Sequence, residues 1–241
     1  LSKTWIIIPT AAADIDMLAD CLEGCSRYND ASIAVVCNTN IAPDRLSAAG
    51  LLGVAEARGR IVRAAFVPER IGYVRAVNIA WGLCESGAGD YIAVINDDLQ
   101  VTGDFVTPMR AALDAGALQV GPSIKHVGRD GFWGKGDEPF VFAEGWCWMA
   151  KAMTLVDASL QAAVGTVYDP QYAIPGYGCD DCDLSIRIIQ SVGFFLPPQE
   201  AIRQVDNLPV HHLHTQTVRN RDAGWARNRA RLVERWHLDA V

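Results

Sequence analysis

No stretch of this 241-residue chain approaches the ~20 consecutive apolar residues that a bilayer-crossing helix needs. Positive charge is also scarce. The formal net charge is −7, so general binding to a nucleic-acid backbone, which calls for a basic footprint, is not expected. No linker, repeat or low-complexity segment divides the chain, and one domain over residues 1–241 is the expectation. The opening "LSKTWIIIPTAAAD" has only a short apolar stretch before Pro9, too little for a secretory leader, so a soluble, cytoplasmic protein is expected. The seven cysteines (Cys21, Cys25, Cys37, Cys84, Cys147, Cys179 and Cys182) are odd in number and scattered, as in proteins kept reduced. A structural zinc site at Cys179-Asp180-Asp181-Cys182 lacks a second close pair nearer than Cys21 and Cys25. Two aspartates between the thiols also disfavour the thiolate that thioredoxin-like chemistry requires.

What is present suits a folded core: 50% of residues are hydrophobic and 20% charged. Strand and helix patterns alternate along the first half. Trp5–Pro9, Ser32–Cys37, Ile61–Val67 and Tyr91–Ile95 read as buried strands. The segments "DIDMLADCLEGC", "APDRLSAAGLLGVAEARG" (residues 42–59), "YVRAVNIAWGLCES" and "FVTPMRAALDA" read as helices. That order predicts a mostly parallel sheet with helices on both faces. Later segments are less regular. "ALQVGPSI" reads as a strand, "HVGRDGFWGKGDEP" as a glycine-rich loop, and "FVFAEGWCWMAKA" as a strand leading towards a helix. A helix is predicted from near Asp180, a strand through "NLPVHHLH", and an arginine-rich helix at the close. On that helix Arg227, Arg231 and Arg235 share one stripe, which reads as a solvated face or as a surface for something anionic.

The strand Tyr91–Ile95 runs straight into Asn96-Asp97-Asp98. Carboxylates beside a core are costly unless paired. In open parallel sheets ligands sit in the crevice outside the carboxyl ends of the strands, which here are Pro9-Thr10, Cys37-Asn38, Val67-Pro68 and the acid pair. Two explanations fit Asp97 and Asp98. They bind a divalent ion together with a phosphorylated ligand, or they form a turn and cap the next helix.

Six segments in order resemble family 2 glycosyltransferases of the GT-A fold. "WIIIPT" resembles the first nucleotide-binding strand, "GYVRAVNIAWG" the helix before the acid motif, and "YIAVINDD" the strand ending in a DxD-type motif. "VGTVYDPQYAIPGYGCDDCDLSIRI" resembles the acceptor-side segment, and "VHHLHTQT" the late histidine strand, with "NRARLVERW" as the closing helix. The resemblance implies an α/β GT-A fold: a Rossmann-like, mostly parallel sheet with helices on both faces and an irregular acceptor-side C-terminal half. Residues 1–100 would bind the nucleotide and residues 101–241 the acceptor.

It also implies roles. Asp98 would hold Mn²⁺ or Mg²⁺ on the donor's diphosphate, with His212 and His214 as further metal or diphosphate groups. Asn96 and Asp97 would lie near ribose and sugar. Pro9, Thr10 and Asn38 would line the base pocket, with uridine the base by family frequency, and Arg75 would reach base or diphosphate. Asp181 would be the general base, with Asp180 beside it at the acceptor; Asp183 reads as structural. Glu144, Gly145 and Trp146 would form the acceptor wall, and Trp133 a lid over bound donor. The implied activity is metal-dependent inverting transfer from a nucleotide-sugar donor to a hydroxyl of a glycan or other acceptor. A nucleotidyltransferase would carry a Gly-x-Gly-Thr-Arg loop and a lysine after the first strand, which "IPTAAADID" lacks. A non-catalytic nucleotide-sugar-binding module of the same fold is the other alternative.

Overall fold

The structure, a computed structural model, describes residues 2–11, 15–38, 59–69, 71–131, 133–134, 140–161, 163–173, 178–192, 196–213 and 223–238. The first half runs β1 (Thr4–Thr10), α1 (Ile15–Tyr28), β2 (Ser32–Asn38), β3 (Val62–Val67), α2 (Tyr73–Leu83), β4 (Tyr91–Ile95) and β5 (Leu99–Val101). Then come α3 (Val106–Asp114), β6 (Gln119–Gly121), β7 (Ile124–Val127), β8 (Trp133–Gly134), β9 (Phe140–Ala143), β10 (Cys147–Lys151) and α4 (Ala152–Gln161). The chain closes with α5 (Asp180–Ser191), the short α6 (Pro198–Ala201), β11 (Ile202–Gln204), β12 (Val210–His212) and α7 (Ala223–Trp236).

Seven strands form the main sheet in the order β11-β6-β10-β4-β1-β2-β3. β1, β2, β3 and β4 are mutually parallel, β11 is parallel to β6, and β10 runs against both its neighbours. The near-continuous apolar runs of β1 and β4 follow from burial on both faces. Trp5 and Ile7 face one core with Val74 and Val77 of α2, while Ile6 and Ile8 face a second core with Leu18 and Leu22 of α1. Alternation along the strand divides the two sets. Because the four strands run the same way, Thr10, Asn38, Val67 and Asn96 come to one edge of the sheet. The mostly parallel sheet with helices on both faces is as expected.

Several segments depart from the sequence pattern. Residues 117–124 make β6, then break at Pro122, which has no N–H for a ladder, and β7 joins a separate three-stranded sheet β8-β7-β9. Residues 140–151 are not one strand but two, joined by a turn at Glu144-Gly145-Trp146; β9 pairs with β7 and β10 with β4. The loop after β7 contributes β8, where only the backbone of Trp133 is described. The helix expected over 42–59 lies, but for Gly59, outside the described residues.

The arginine stripe of α7 is not a plain solvated face. Arg231 donates to the Gln171 carbonyl, and Arg235 pairs with Asp169 and reaches Asp183 at 3.5 Å. Arg227 alone of the three is exposed. Among the described residues no helix is long and apolar enough to cross a membrane.

Candidate active site

The acid motif is set by strand pairing. Asn96 donates its backbone N–H to the Trp146 carbonyl at 2.9 Å, extending the β4–β10 ladder by one residue. Asp97 and Asp98 then turn the chain from β4 into β5, so the turn interpretation holds for the backbone. Their side chains diverge. Asp97 accepts a hydrogen bond from the Thr10 hydroxyl. Asp98, 5% exposed, lies 3.2 Å from Nε2 of His212.

His212 reaches that place through β12, which pairs antiparallel with β5 and sets His212 opposite Leu99. The Leu213 N–H closes on the Asp98 carbonyl at 3.1 Å. Nε2 of His212 is also 3.5 Å from the Asn96 amide nitrogen. His214 lies outside the described residues.

Thr10 and Asn38 sit at adjacent strand ends. The Asn38 amide donates to the Thr10 carbonyl at 2.8 Å and accepts the Gly72 N–H at 3.2 Å, tying β1 to the start of α2. Asn38 is therefore a structural clip between strand ends and helix start. Pro9 is buried in β1 one residue earlier. Arg75 stands exposed on α2 and makes no hydrogen bond or ion pair among the described residues.

Asp180 and Asp181 open α5. Its N-cap position is Cys179, in a left-handed conformation at φ 66° and with no side-chain cap, so neither Asp180 nor Asp181 serves as the N-cap. Asp181 instead accepts the Cys182 N–H on Oδ1 at 2.9 Å and the Gly145 N–H on Oδ2 at 3.2 Å. Burial pushes its carboxyl up to about 6 despite those two donors. Asp180 is pushed up to about 8, first by burial and then by the charge of Asp181. One turn on, fully buried Asp183 pairs with Arg187 at 2.9 Å and accepts the Trp236 indole N–H at 3.0 Å. That fixes Asp183 as structural and anchors the helix that presents Asp181.

The segment Glu144-Gly145-Trp146 connects the two ends. The Gly145 carbonyl accepts the Tyr73 hydroxyl at 2.6 Å while its N–H holds Asp181. The Trp146 indole N–H donates to Glu144 at 3.2 Å, and its ring stacks on His212 with centroids 5.0 Å apart. Lys125 lies 4.0 Å from the Glu144 carboxylate. Tyr73 carried no signal in the sequence beyond its place at the start of α2. Nor did the sequence mark Cys21, whose thiol lies 3.6 Å from the Asn96 carbonyl.

A carboxylate oxygen facing an imidazole nitrogen is a donor set that suits Mn²⁺, and Mg²⁺ less well. Among the described residues no three His, Cys, Asp or Glu side chains gather as a closed metal cage. An ion there would take its remaining ligands from phosphate oxygens and water, as nucleotide-bound cations commonly do.

No protein-family profile and no curated protein matches this sequence. Solved structures match in shape. GalNAc-T7, crystallised with UDP, GalNAc and Mn²⁺, gives a TM-score of 0.60 at 11% identity, over 79% of this chain and 41% of its own. The mannosyltransferase PcManGT from Pyrobaculum calidifontis, in complex with GDP-Man and Mn²⁺, gives 0.59 at 15% identity, over 96% of this chain and 61% of its own. S. aureus TarS gives 0.52 at 13% identity, over 85% of this chain and 35% of its own. The chain thus spans less than two-thirds of the length of each of these three proteins. What it shares with them is the GT-A glycosyltransferase fold.

Proposed function

We propose that this chain is a metal-dependent, inverting glycosyltransferase that moves a sugar from a nucleoside-diphosphate donor, UDP-linked in the first instance, to an acceptor hydroxyl. One observation carries the proposal. A carboxylate–imidazole pair (Asp98, His212) and a separate carboxylate (Asp181) meet the same turn, Glu144-Gly145-Trp146, from two sides. The fold shared with nucleotide-sugar enzymes supports it.

In this mechanism the acceptor hydroxyl gives its proton to Asp181 as its oxygen forms a bond to the anomeric carbon. The bond from that carbon to the donor's diphosphate breaks, its electron pair leaves with the phosphate oxygen, and the configuration inverts. Two backbone N–H groups orient the Asp181 carboxylate in advance, and its raised proton affinity suits a base working near neutral pH. A divalent cation bound at Asp98 and His212 would neutralise charge on the leaving diphosphate. Asp97, steered by Thr10, and Asn96 flank that pair where ribose and sugar would lie. The enclosing wall of Glu144, Gly145 and Trp146 would position the acceptor.

Calorimetric titration of UDP, GDP, dTDP and CDP, each with and without Mn²⁺, tests the donor site. One nucleotide should bind tightly, and its affinity should vanish without metal and in Asp98→Ala. Absence of binding by all four would remove the proposal.

A further inference from the structure

An acceptor wall accounts for only part of what Trp146 does. Its indole lies flat on the His212 imidazole, centroids 5.0 Å apart and planes 9° from parallel. It also packs against the core cluster containing Ile95, Leu99 and Cys147. Trp146 is held independently of the histidine: its indole N–H donates to Glu144 at 3.2 Å, and its backbone carbonyl accepts the Asn96 N–H at 2.9 Å. His212 is the last residue of a three-residue strand. An imidazole in that position has two side-chain torsions to settle. The flat stack removes that freedom and leaves Nε2 3.2 Å from Asp98 and 3.5 Å from Asn96.

We propose that Trp146 is a positioning residue for His212. Its indole holds the imidazole in the plane that lets Nε2 share a ligand with Asp98. The inference rests on the assignment of Asp98 and His212 to the donor's metal. Groups that orient a metal-binding histidine commonly contribute ~10–100-fold to metal affinity. The surface that serves as acceptor wall on one side would thereby set donor geometry on the other.

The test compares the wild type with Trp146→Leu, which keeps an apolar side chain without a ring, and Trp146→Phe, which restores a ring without the N–H. Mn²⁺-dependent binding of UDP and of GDP is measured by calorimetry for each, beside its melting temperature. Trp146→Leu is expected to bind about tenfold more weakly while remaining folded. Trp146→Phe should stay within about twofold of wild type, since a stackable face remains. In the metal-free wild type, the His212 carbon-bound ring protons should be shifted upfield by the indole. Those resonances are assigned by their loss in His212→Asn.

If the wild type binds and folded Trp146→Leu binds equally well, the positioning role is overturned and the donor site stands. If the wild type itself binds neither nucleotide with metal, the donor assignment falls and takes this inference with it. If Trp146→Leu does not fold, the ring-current measurement on the wild type decides. Unshifted His212 resonances overturn the proposal, and shifted ones with near-normal binding in Trp146→Phe sustain it.

Discussion

Asp180 and Asp181 are adjacent in sequence yet differ in what reaches their oxygens. Asp181 is held by two backbone N–H groups and is partly exposed, whereas Asp180 is buried. Asp181→Asn is expected to lower transfer by ~10²–10⁴ while donor affinity stays at the wild-type value. Near-normal turnover would show that the base is another group. As the proposed base, Asp181 would have to be ionised to accept a proton, so kcat should fall as pH drops through about 6. A rate–pH profile checks that limb.

Asp180 makes a separate prediction about stability. Its carboxyl is raised from 3.8 to about 8 in the fold, so the native chain keeps a proton that the unfolded chain releases. Its contribution is complete below pH about 4 and is lost as pH climbs through about 8. Asp180→Asn should therefore flatten the fall in Tm between pH 5 and pH 8. At pH 8 it should melt roughly 2–4 °C higher than wild type, as expected for ~1 kcal/mol in a chain of this size. A lower Tm for Asp180→Asn at pH 8 would contradict the buried, protonated assignment. Asp98, Asp181 and His212 were legible through the order of the motif-like segments that carry them, since an aspartate after a strand or at a helix start is common taken singly. The linkage of Tyr73 to Asp181 was not, since it passes through the Gly145 peptide and leaves no local pattern.

Among the elements, α1 approaches β5 through the missing side chain of Gly24. A Cβ there would stand 2.5 Å from the Val101 carbonyl oxygen, a backbone atom that cannot swing aside. Gly24→Ala is expected to cost ~1–3 kcal/mol, read as a lowered denaturation midpoint with little change in m. The Asp183–Arg187 pair lies inside α5 with both side chains at most 1% exposed. Arg187→Met would remove the nearest cation from the buried Asp183 carboxylate, leaving the Trp236 N–H and the more distant Arg235, and should cost about 3 kcal/mol in the same measurement. The periods of β1, β2, β4, α1 and α2 were legible because each element buries a regular stripe or both faces. The break at Glu144-Gly145-Trp146 was not, because two apolar strands joined by a short turn look like one longer run. The α7 arginines showed the same limit. Spacing revealed their shared face but not the Gln171 carbonyl and the Asp169 and Asp183 carboxylates opposite it.

Across the whole molecule the seven thiols test the packing. All are free; six are buried and Cys84 is half-buried. Burial pushes the Cys84 thiol up to about 12, so even this one is a poor nucleophile near neutral pH. A thiol reagent should modify at most one cysteine of the native protein quickly and all seven after denaturation. Rapid modification of several would mean that the sheet does not close as described. The mostly parallel order was legible because helices separate the early strands. The antiparallel insertion of β10 between β4 and β6 was not, since β10 pairs back across about thirty residues to β6 and about fifty or more to β4.

That insertion governs how the polypeptide can be divided. A cut after residue 100 would leave Tyr91–Ile95 bonded to β1 on one side and bare on the other, an apolar margin of unsatisfied peptide groups. The first hundred residues produced alone should stick to one another through that margin. Supplied together with the remainder, they would have β10 as the missing partner and the means to reassemble. A split-protein reporter built on this chain would then take its switch from one strand pairing, Cys147–Lys151 against Tyr91–Ile95.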